Sequence, residues 1–133
     1  MQGKITAKTT TSSTTYVSSG LSATITPQSI TSKILVLIST VCYSTSGAEP
    51  ALTIYRNGSN ILGTSGFTNG YIQSSAFVLP LSGNYLDSPA STSAQTYAMY
   101  YANAAGNGAT LQLNFGGYSD DQTSTITLME IAG

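Results

Sequence analysis

The sequence predicts an all-β fold, and three observations support this prediction. Short segments in which apolar and polar residues alternate recur about every 8–12 residues, which is the spacing of strands in a sandwich or barrel. Turn-forming Gly, Asn and Pro residues separate these segments, and the Thr, Tyr, Ile and Val residues within them favour pleated sheets. No stretch shows the sustained 3.6-residue periodicity of a helix. We therefore expect a sandwich of about eight antiparallel strands.

The N-terminal segment, residues 1–15, is polar and rich in threonine, and two interpretations of it are open. It could form an edge strand of the domain, for which residues 4–7 are suitable. It could instead form an arm that lies on a neighbouring molecule and adds a strand to an exposed sheet edge. Lys4 and Lys8 lie in this segment and are two of the four basic residues of the chain. The single domain is expected to span residues 16–133.

Two strands are expected before residue 50. Residues 21–25 alternate between apolar and polar side chains, and Pro27 ends this strand. Residues 34–43 are apolar on both faces, which is typical of a central strand that is covered on each side. Cys42, the only cysteine, lies in this second strand, and we interpret it as a small core residue.

The middle of the chain predicts a hairpin followed by another strand. Asn57-Gly58 separates residues 52–56 from residues 60–62, and this dipeptide is the strongest short signal for a two-residue hairpin turn. Residues 71–79 predict a strand that ends at Pro80. Residues 81–86 predict a short segment before a turn that begins with the side chain of Asp87.

The C-terminal third contains the clearest alternation. Residues 95–102 place Tyr97, Met99 and Tyr101 on one face and Tyr100 on the other. Residues 109–115 alternate between apolar and polar side chains over their whole length. These two segments predict half-buried strands.

The last strand, residues 124–131, shows an irregular pattern near its end. Ile126 and Leu128 share one face, and continued alternation would place Glu130 on that apolar face and Met129 on the opposite one. Either a bulge resets the phase of the strand, or the end of the strand contacts a partner chain that covers both faces. The second alternative would place Glu130 near the axis of an oligomer.

Three segments carry a resemblance to a known family. They are YVSSGLSATITPQSITSKILVLIS at residues 16–39, YLDSPASTSAQTY at residues 85–97 and STITLMEIAG at residues 124–133. Together they resemble the terminal β-domain that recurs in tail-fibre and other virion proteins of tailed bacteriophages. The resemblance implies a TNF-like jelly roll, a homotrimer and a place in a virus particle. These segments are strand and turn signatures, so the resemblance implies no particular chemistry.

This resemblance leads to an expected function. The first clear strand begins about fifteen residues after Met1, and no coiled-coil or baseplate-binding segment precedes it. We therefore expect a capsid decoration, or cement, protein that binds the major capsid protein on the outer surface of the virion as a homotrimer. Two alternatives are a receptor-binding module of a tail fibre, held by another protein, and a carbohydrate-binding domain of a bacterial surface protein.

The composition argues against most catalytic chemistry. The chain has no histidine and one cysteine, so it lacks the residues for a Ser-His-Asp triad or a zinc site. Asp87 could pair with Asp120 or Asp121 as in a glycosidase, but nothing in the sequence brings them together. Asp120-Asp121 could hold a hard cation, although a solvated loop is the favoured interpretation. We expect no enzyme activity and no metal or cofactor.

The low charge limits the partners of the protein. Only 7% of the residues are charged, and the net charge is −1, so no basic surface is available to bind nucleic acid. The apolar run at residues 34–43 is too short for a membrane helix, and the N-terminus has no signal peptide. A surface with so little charge repels its own copies weakly, which suits a protein that packs against itself or a scaffold.

Candidate contact residues follow from these patterns. The contacts expected with another subunit or with the shell are Lys4, Lys8, Tyr100, Met129 and Glu130. Tyr71, Tyr100 and Tyr118 could also offer flat apolar faces to a carbohydrate. Tyrosine is, however, a common strand residue whose hydroxyl group stays in water, so the structural interpretation is favoured for each of them.

Overall fold

A computed structural model describes residues 1–44, 47–71, 76–114 and 122–133 of the chain. The described residues form antiparallel sheets and no helix, so none of them belongs to a helix that could cross a membrane. The all-β prediction is confirmed. Eleven strands are formed: β1 (Gln2–Ile5), β2 (Thr9–Thr11), β3 (Val17–Ile25), β4 (Lys33–Ser44), β5 (Pro50–Arg56), β6 (Ser59–Asn60), β7 (Thr68–Asn69), β8 (Phe77–Asp87), β9 (Gln95–Asn103), β10 (Leu111–Leu113) and β11 (Ser124–Ile131).

One sheet is built around β4, and we call it the β4 sheet. β4 pairs with β8 on one side, and on its other side it pairs with both β10 and β11. β2 pairs with β10, and β1 pairs with β11. The sheet therefore has four rows, and the row β1+β2 and the row β10+β11 each consist of two strands placed end to end.

The other sheet is built around β9, and we call it the β9 sheet. β9 lies between β3 and β5, and the outer side of β5 pairs with both β6 and β7. This sheet also has four rows, of which β6+β7 is divided. The predicted number of about eight strands is too low because three of the eight rows are interrupted. The short pieces that result, such as the two-residue β6 and β7, are too short to show alternation.

The hydrophobic core lies between the two sheets. Ile34, Val36 and Ile38 of β4 are at most 3% exposed and point toward the β9 sheet. Tyr97 and Met99 of β9 are fully buried and point toward the β4 sheet, as the alternation predicts. Because apolar side chains of both sheets lose their contact with water here, this layer is the main stabilising element of the fold.

The hairpin prediction at Asn57-Gly58 is confirmed. Both residues have positive φ angles, 49° and 84°, which is the backbone conformation of a type I′ turn. The turn joins β5 to β6, whose residues pair directly on either side of it. Asparagine and glycine occupy this turn because they adopt positive φ angles at little cost.

One strand, β8, includes residues of the two separate segments predicted at residues 71–79 and 81–86. The strand predicted at residues 71–79 does not end at Pro80, because Pro80 lies within β8 and pairs with Val41. β8 is the edge of the β4 sheet, where a proline is tolerated because its missing N–H would face solvent. Residues 72–75 of this predicted strand lie outside the described residues. So does Phe115, the last residue of the strand predicted at residues 109–115.

The N-terminal segment forms the other edge row of the β4 sheet. Gln2–Ile5 pairs with β11, and the amino group of Met1 donates a 2.7 Å hydrogen bond to the carbonyl oxygen of Leu128. Gly3 approaches the β9 sheet so closely that a Cβ atom would run into the carbonyl oxygen of Ser22. β1 therefore helps to close the sandwich along this edge.

Candidate functional site

The outer face of the β4 sheet carries a group of apolar side chains among polar ones. The register of β11, β4 and β8 places Met129 beside Leu35 and Leu35 beside Leu86, and all three side chains point away from the core. Further along β4, Val41 lies beside Pro80 on the same face. The apolar residues of this outer face are Leu35, Leu37, Val41, Tyr43, Val78, Pro80, Leu86, Met129 and Ile131.

Several of these side chains are open to solvent. Leu37 is 37% exposed, Leu86 47%, Met129 49% and Ile131 42%. Isolated exposed apolar residues are normal on a protein surface, but a contiguous group of them indicates a contact surface. β4 was predicted to be a central strand with both faces covered, whereas the described residues cover only its inner face.

The outer face of the β9 sheet has a different character. β3 and β9 direct serine, threonine and alanine side chains outward, for example Ser22, Thr24, Thr96 and Ala98. The described outward positions of this sheet carry no leucine, isoleucine, valine or methionine. At their described positions the two faces of the sandwich are therefore chemically distinct, and of the two the outer face of the β4 sheet carries the exposed aliphatic side chains.

The five predicted contact residues do not come together. Lys4 and Met129 both point outward from the β4 sheet. Lys8 is an exposed residue between β1 and β2. Tyr100 lies on the outer face of the β9 sheet, on the opposite side of the molecule. Glu130 lies at one end of the sandwich beside the loop that joins β3 to β4.

Glu130 has a structural partner in its own chain. Its Oε1 atom accepts a 2.6 Å hydrogen bond from the backbone N–H of Gln28. Hydrogen bonds from the side chain of Ser32 and then from the backbone of Gln28 lower the pKa of this carboxyl group. The pairing of β11 with β4 continues without a register shift through Ile131, so the predicted bulge is wrong and the alternation is unbroken.

Asp87 joins the two sheets at the same end of the sandwich. Its Oδ2 atom accepts a 2.6 Å hydrogen bond from Nη1 of Arg56 and another of 2.6 Å from the hydroxyl group of Tyr97. Burial, and then the hydrogen bond to Asp87, raise the pKa of Tyr97. The Asp87 carboxylate therefore binds Arg56 and Tyr97 inside the protein. The prediction that its side chain begins a turn is wrong.

Asp120, Asp121 and Tyr118 lie outside the described residues, so the predictions that involve them are not addressed by the structure. Within the described ranges, no three His, Cys, Asp or Glu residues come close enough to hold a metal ion together. Cys42 is buried in the core as predicted, and burial raises the pKa of its thiol to about 12.

A cavity lies beside the outer face of the β9 sheet. Its volume is about 310 Å³, and it is lined by Thr14, Thr15, Tyr16, Tyr55, Asn60 and Thr64. The ring of Tyr55 stacks on that of Tyr100, with 3.8 Å between the centroids and 14° between the planes. We call this feature the tyrosine cavity.

The sequence contains only part of the information that locates these two surfaces. A signal for the outer face of the β4 sheet was present, because residues 34–43 are apolar on both faces. No signal pointed to the tyrosine cavity, because Tyr16, Tyr55 and Thr64 lie on three separate segments. Only the fold brings these residues together.

Comparison with known proteins adds no family to these observations. No protein-family model matches the chain, and no curated protein is significantly similar to it. The function is therefore inferred from the two surfaces and from the resemblance carried by the strand and turn segments.

Proposed function

We propose that this protein is a non-enzymatic structural protein of a bacteriophage particle, which works as a homotrimer and decorates the outer surface of the capsid. The observation that carries this proposal is the exposed apolar outer face of the β4 sheet. The strand and turn segments that resemble phage virion domains supply the viral setting and the number of subunits.

The strand order supports a jelly roll, which is part of the same proposal. The rows run β1+β2, β10+β11, β4, β8 in one sheet and β3, β9, β5, β6+β7 in the other. A jelly roll has eight strands in two sheets, with long connections that cross between the sheets. The chain crosses in this way from β3 to β4, from β4 to β5 and from β8 to β9.

The occupant proposed for the outer face of the β4 sheet is a second copy of the chain. Lys4 and Lys33 are the charged residues at its described outward positions, and they lie toward its margins. A neighbouring copy around a threefold axis could therefore pack against this face with little desolvation of charge and little repulsion. Burial of Leu37, Leu86 and Met129 would provide the driving force.

The size of the face is suitable for a stable interface. β4 has twelve residues and, at about 3.3 Å per residue, spans about 40 Å. Four rows at about 4.8 Å cover about 19 Å, which gives a face of about 750 Å². Stable interfaces remove about 800 Å² from each partner, so this face is large enough for the contact with one neighbouring copy.

Self-association can be tested by charge substitution on this face. We expect the wild-type protein to have the mass of a trimer in light scattering, and the double variant Leu37→Glu, Leu86→Glu to have the mass of a monomer. Both side chains point outward, so the double variant should keep its melting transition. Ser22→Glu, a matched control on the outer face of the β9 sheet, should remain trimeric.

Two outcomes would contradict the proposed assembly. One is a wild-type protein that is monomeric at micromolar concentration. The other is a double variant that stays trimeric, which would place the contact elsewhere. The role in the particle is tested separately by gel densitometry of purified virions, in which hundreds of copies per particle indicate decoration of the capsid.

A receptor-binding module of a tail fibre is the second candidate function. The tyrosine cavity favours it, because this cavity lies beside the β9 sheet and would stay exposed in a trimer that packs through the β4 sheet. A tail protein would be present in only a few copies per particle, so the same densitometry distinguishes the two candidates.

A further inference from the structure

We propose that the tyrosine cavity binds one sugar unit of a neutral carbohydrate, with the sugar ring against Tyr55. This inference does not depend on the place of the protein in a virus particle, because it rests only on the cavity and its walls. The outer face of the β9 sheet would then bind a carbohydrate, and the outer face of the β4 sheet would bind a second copy of the chain.

The chemistry of the lining matches a neutral, hydroxyl-rich ligand. Three threonines, two tyrosines and one asparagine line the cavity, and none of them carries a charge. The hydroxyl groups of the threonines and tyrosines can both donate and accept hydrogen bonds, as the hydroxyl groups of a sugar require. A charged ligand would find no ion-pair partner among these side chains.

Tyr55 supplies an apolar surface within this polar lining. The faces of an aromatic ring are electron-rich, and the C–H groups on one side of a sugar ring are weakly positive, so the two attract each other. Tyr100 stacks on Tyr55 and does not line the cavity. The stack therefore holds the Tyr55 ring in place while the uncovered part of that ring borders the cavity.

The first wall of the cavity is fixed by Asn60. Its Oδ1 atom accepts hydrogen bonds from Oγ1 of Thr53 at 2.9 Å and from the N–H of Leu62 at 3.0 Å. Its Nδ2 atom donates to the carbonyl oxygen of Gly63 at 2.8 Å. These bonds hold the segment that carries Thr64 against the β9 sheet.

The opposite wall is held by the residues just before β3. The carbonyl oxygen of Ser13 accepts a 2.8 Å hydrogen bond from the N–H of Asn103, and the Ser13 hydroxyl group donates to the carbonyl oxygen of Thr15. Both walls are thus formed before a ligand arrives. A preformed cavity lowers the entropic cost of binding.

Tyr16 completes the cavity because Gly66 leaves room for it. A Cβ atom on Gly66 would lie 2.5 Å from the hydroxyl oxygen of Tyr16, and the φ angle of Gly66 is +66°. Burial, and then the proximity of Tyr55, raise the pKa of Tyr16.

The size of the cavity limits the ligand. A volume of about 310 Å³ is at the lower end of the range of about 300–1,000 Å³ for small-molecule sites. One sugar unit is the largest part of a glycan that such a space would enclose. A single site of this kind binds weakly, and an oligomer that presents several sites would gain avidity.

The inference can be tested by nuclear magnetic resonance titration with four probes: the methyl glycosides of glucose, galactose, mannose and N-acetylglucosamine. We expect at least one probe at millimolar concentration to shift the amide signals of Tyr16, Tyr55 and Thr64. Signals from the outer face of the β4 sheet, such as that of Leu37, should not move.

Three variants make the titration specific to the cavity. Tyr55→Ala removes the aromatic surface, and Thr64→Trp fills the space from an exposed position where folding should be unaffected. Each should weaken binding by at least about tenfold. Tyr71→Ala, a matched control at a tyrosine that is 63% exposed outside the cavity, should bind like the wild type. Melting curves check that each variant is folded.

Several outcomes would overturn the inference. The cavity is not a carbohydrate site if none of the four probes shifts its signals at tens of millimolar. It is also excluded if Thr64→Trp binds as tightly as the wild type, or if Tyr71→Ala weakens binding as much as Tyr55→Ala does. Should Tyr55→Ala fail to fold, Thr64→Trp alone decides the question.

Discussion

The hydroxyl group of Tyr97 donates a 2.6 Å hydrogen bond to the carboxylate of Asp87 across the interior between the two sheets. Tyr97 belongs to β9 and Asp87 is the last residue of β8. Arg56, which pairs directly with Tyr97 in the β9 sheet, binds the same carboxylate oxygen. The three side chains therefore connect the two sheets at one end of the sandwich.

The first prediction concerns this connection. Tyr97→Phe leaves the buried Asp87 carboxylate with one hydrogen bond fewer, so the free energy of unfolding should fall by about 1.5–3 kcal/mol. Chemical denaturation at neutral pH measures this change. The control is Tyr71→Phe, which removes a hydroxyl group from an exposed tyrosine. If the two variants have the same free energy of unfolding, the hydrogen bond between Tyr97 and Asp87 does not stabilise the protein.

The second prediction concerns the buried thiol of Cys42. Its pKa is about 12 in the folded protein against 9.0 in an ordinary setting, chiefly because of burial. The folded protein therefore holds a proton that the unfolded chain loses between pH 9 and pH 12, and stability should decrease as the pH rises through this range. In Cys42→Ala the decrease should be smaller.

Thiol reagents provide a direct check on Cys42. The native protein should react very slowly at pH 8, because the thiol is protonated and fully buried. The denatured chain should react at once. Fast reaction of the native protein would mean that the core around Cys42 opens readily.

The third prediction concerns Glu130. Because hydrogen bonds from Ser32 and Gln28 lower its pKa in the folded protein, Glu130 contributes stability above the ordinary value of 4.5, and this contribution is lost as the pH falls through the lowered pKa. Glu130→Gln should therefore lower the melting temperature at pH 7. The difference between variant and wild type should shrink in acid. A constant difference between pH 7 and pH 3 would contradict the assigned role.

The fourth prediction concerns β1. Gly3→Ala places a methyl group against the carbonyl oxygen of Ser22, and we expect it to cost about 1–3 kcal/mol of stability as overpacking does. Lys4→Ala is the matched control, because Lys4 is the next residue and points outward. If both variants are as stable as the wild type, β1 does not pack against β3 in solution.

The fifth prediction extends this argument to the N-terminal segment as a whole. Deletion of residues 1–11 removes β1 and β2 and uncovers the side of β10 and β11 that they pair with. We expect the truncated protein to unfold at a much lower temperature, measured by circular dichroism. A stable truncated trimer that no longer binds capsids would instead identify the segment as an anchor.

Local patterns in the sequence were sufficient for much of the fold. The alternation of residues 95–102 predicted which side chains of β9 are buried, and Asn57-Gly58 predicted the turn between β5 and β6. Both features depend on neighbouring residues only. The continuation of β8 through Pro80 could not be predicted, because a proline is acceptable there only if the strand is at an edge, and the edge is set by the whole sheet.

The candidate sites were less predictable for the same reason. Glu130 and Gln28 are more than a hundred residues apart in the chain, so their hydrogen bond leaves no local pattern. The tyrosine cavity likewise joins residues of separate segments. The two apolar faces of residues 34–43 were visible in the sequence, but alternation alone did not show that one face would stay uncovered.

The position of β11 has a consequence for how the protein is made. β11 lies between β1 and β4, so the first strand of the chain pairs with the last. A growing chain on the ribosome cannot pair β1, or residues 33–39 of β4, with the whole of β11 until residue 131 has been synthesised. The β4 sheet is therefore completed only once β11 is available, and contacts between such distant segments make its assembly slow. A product truncated before β11 would expose β4 and tend to aggregate.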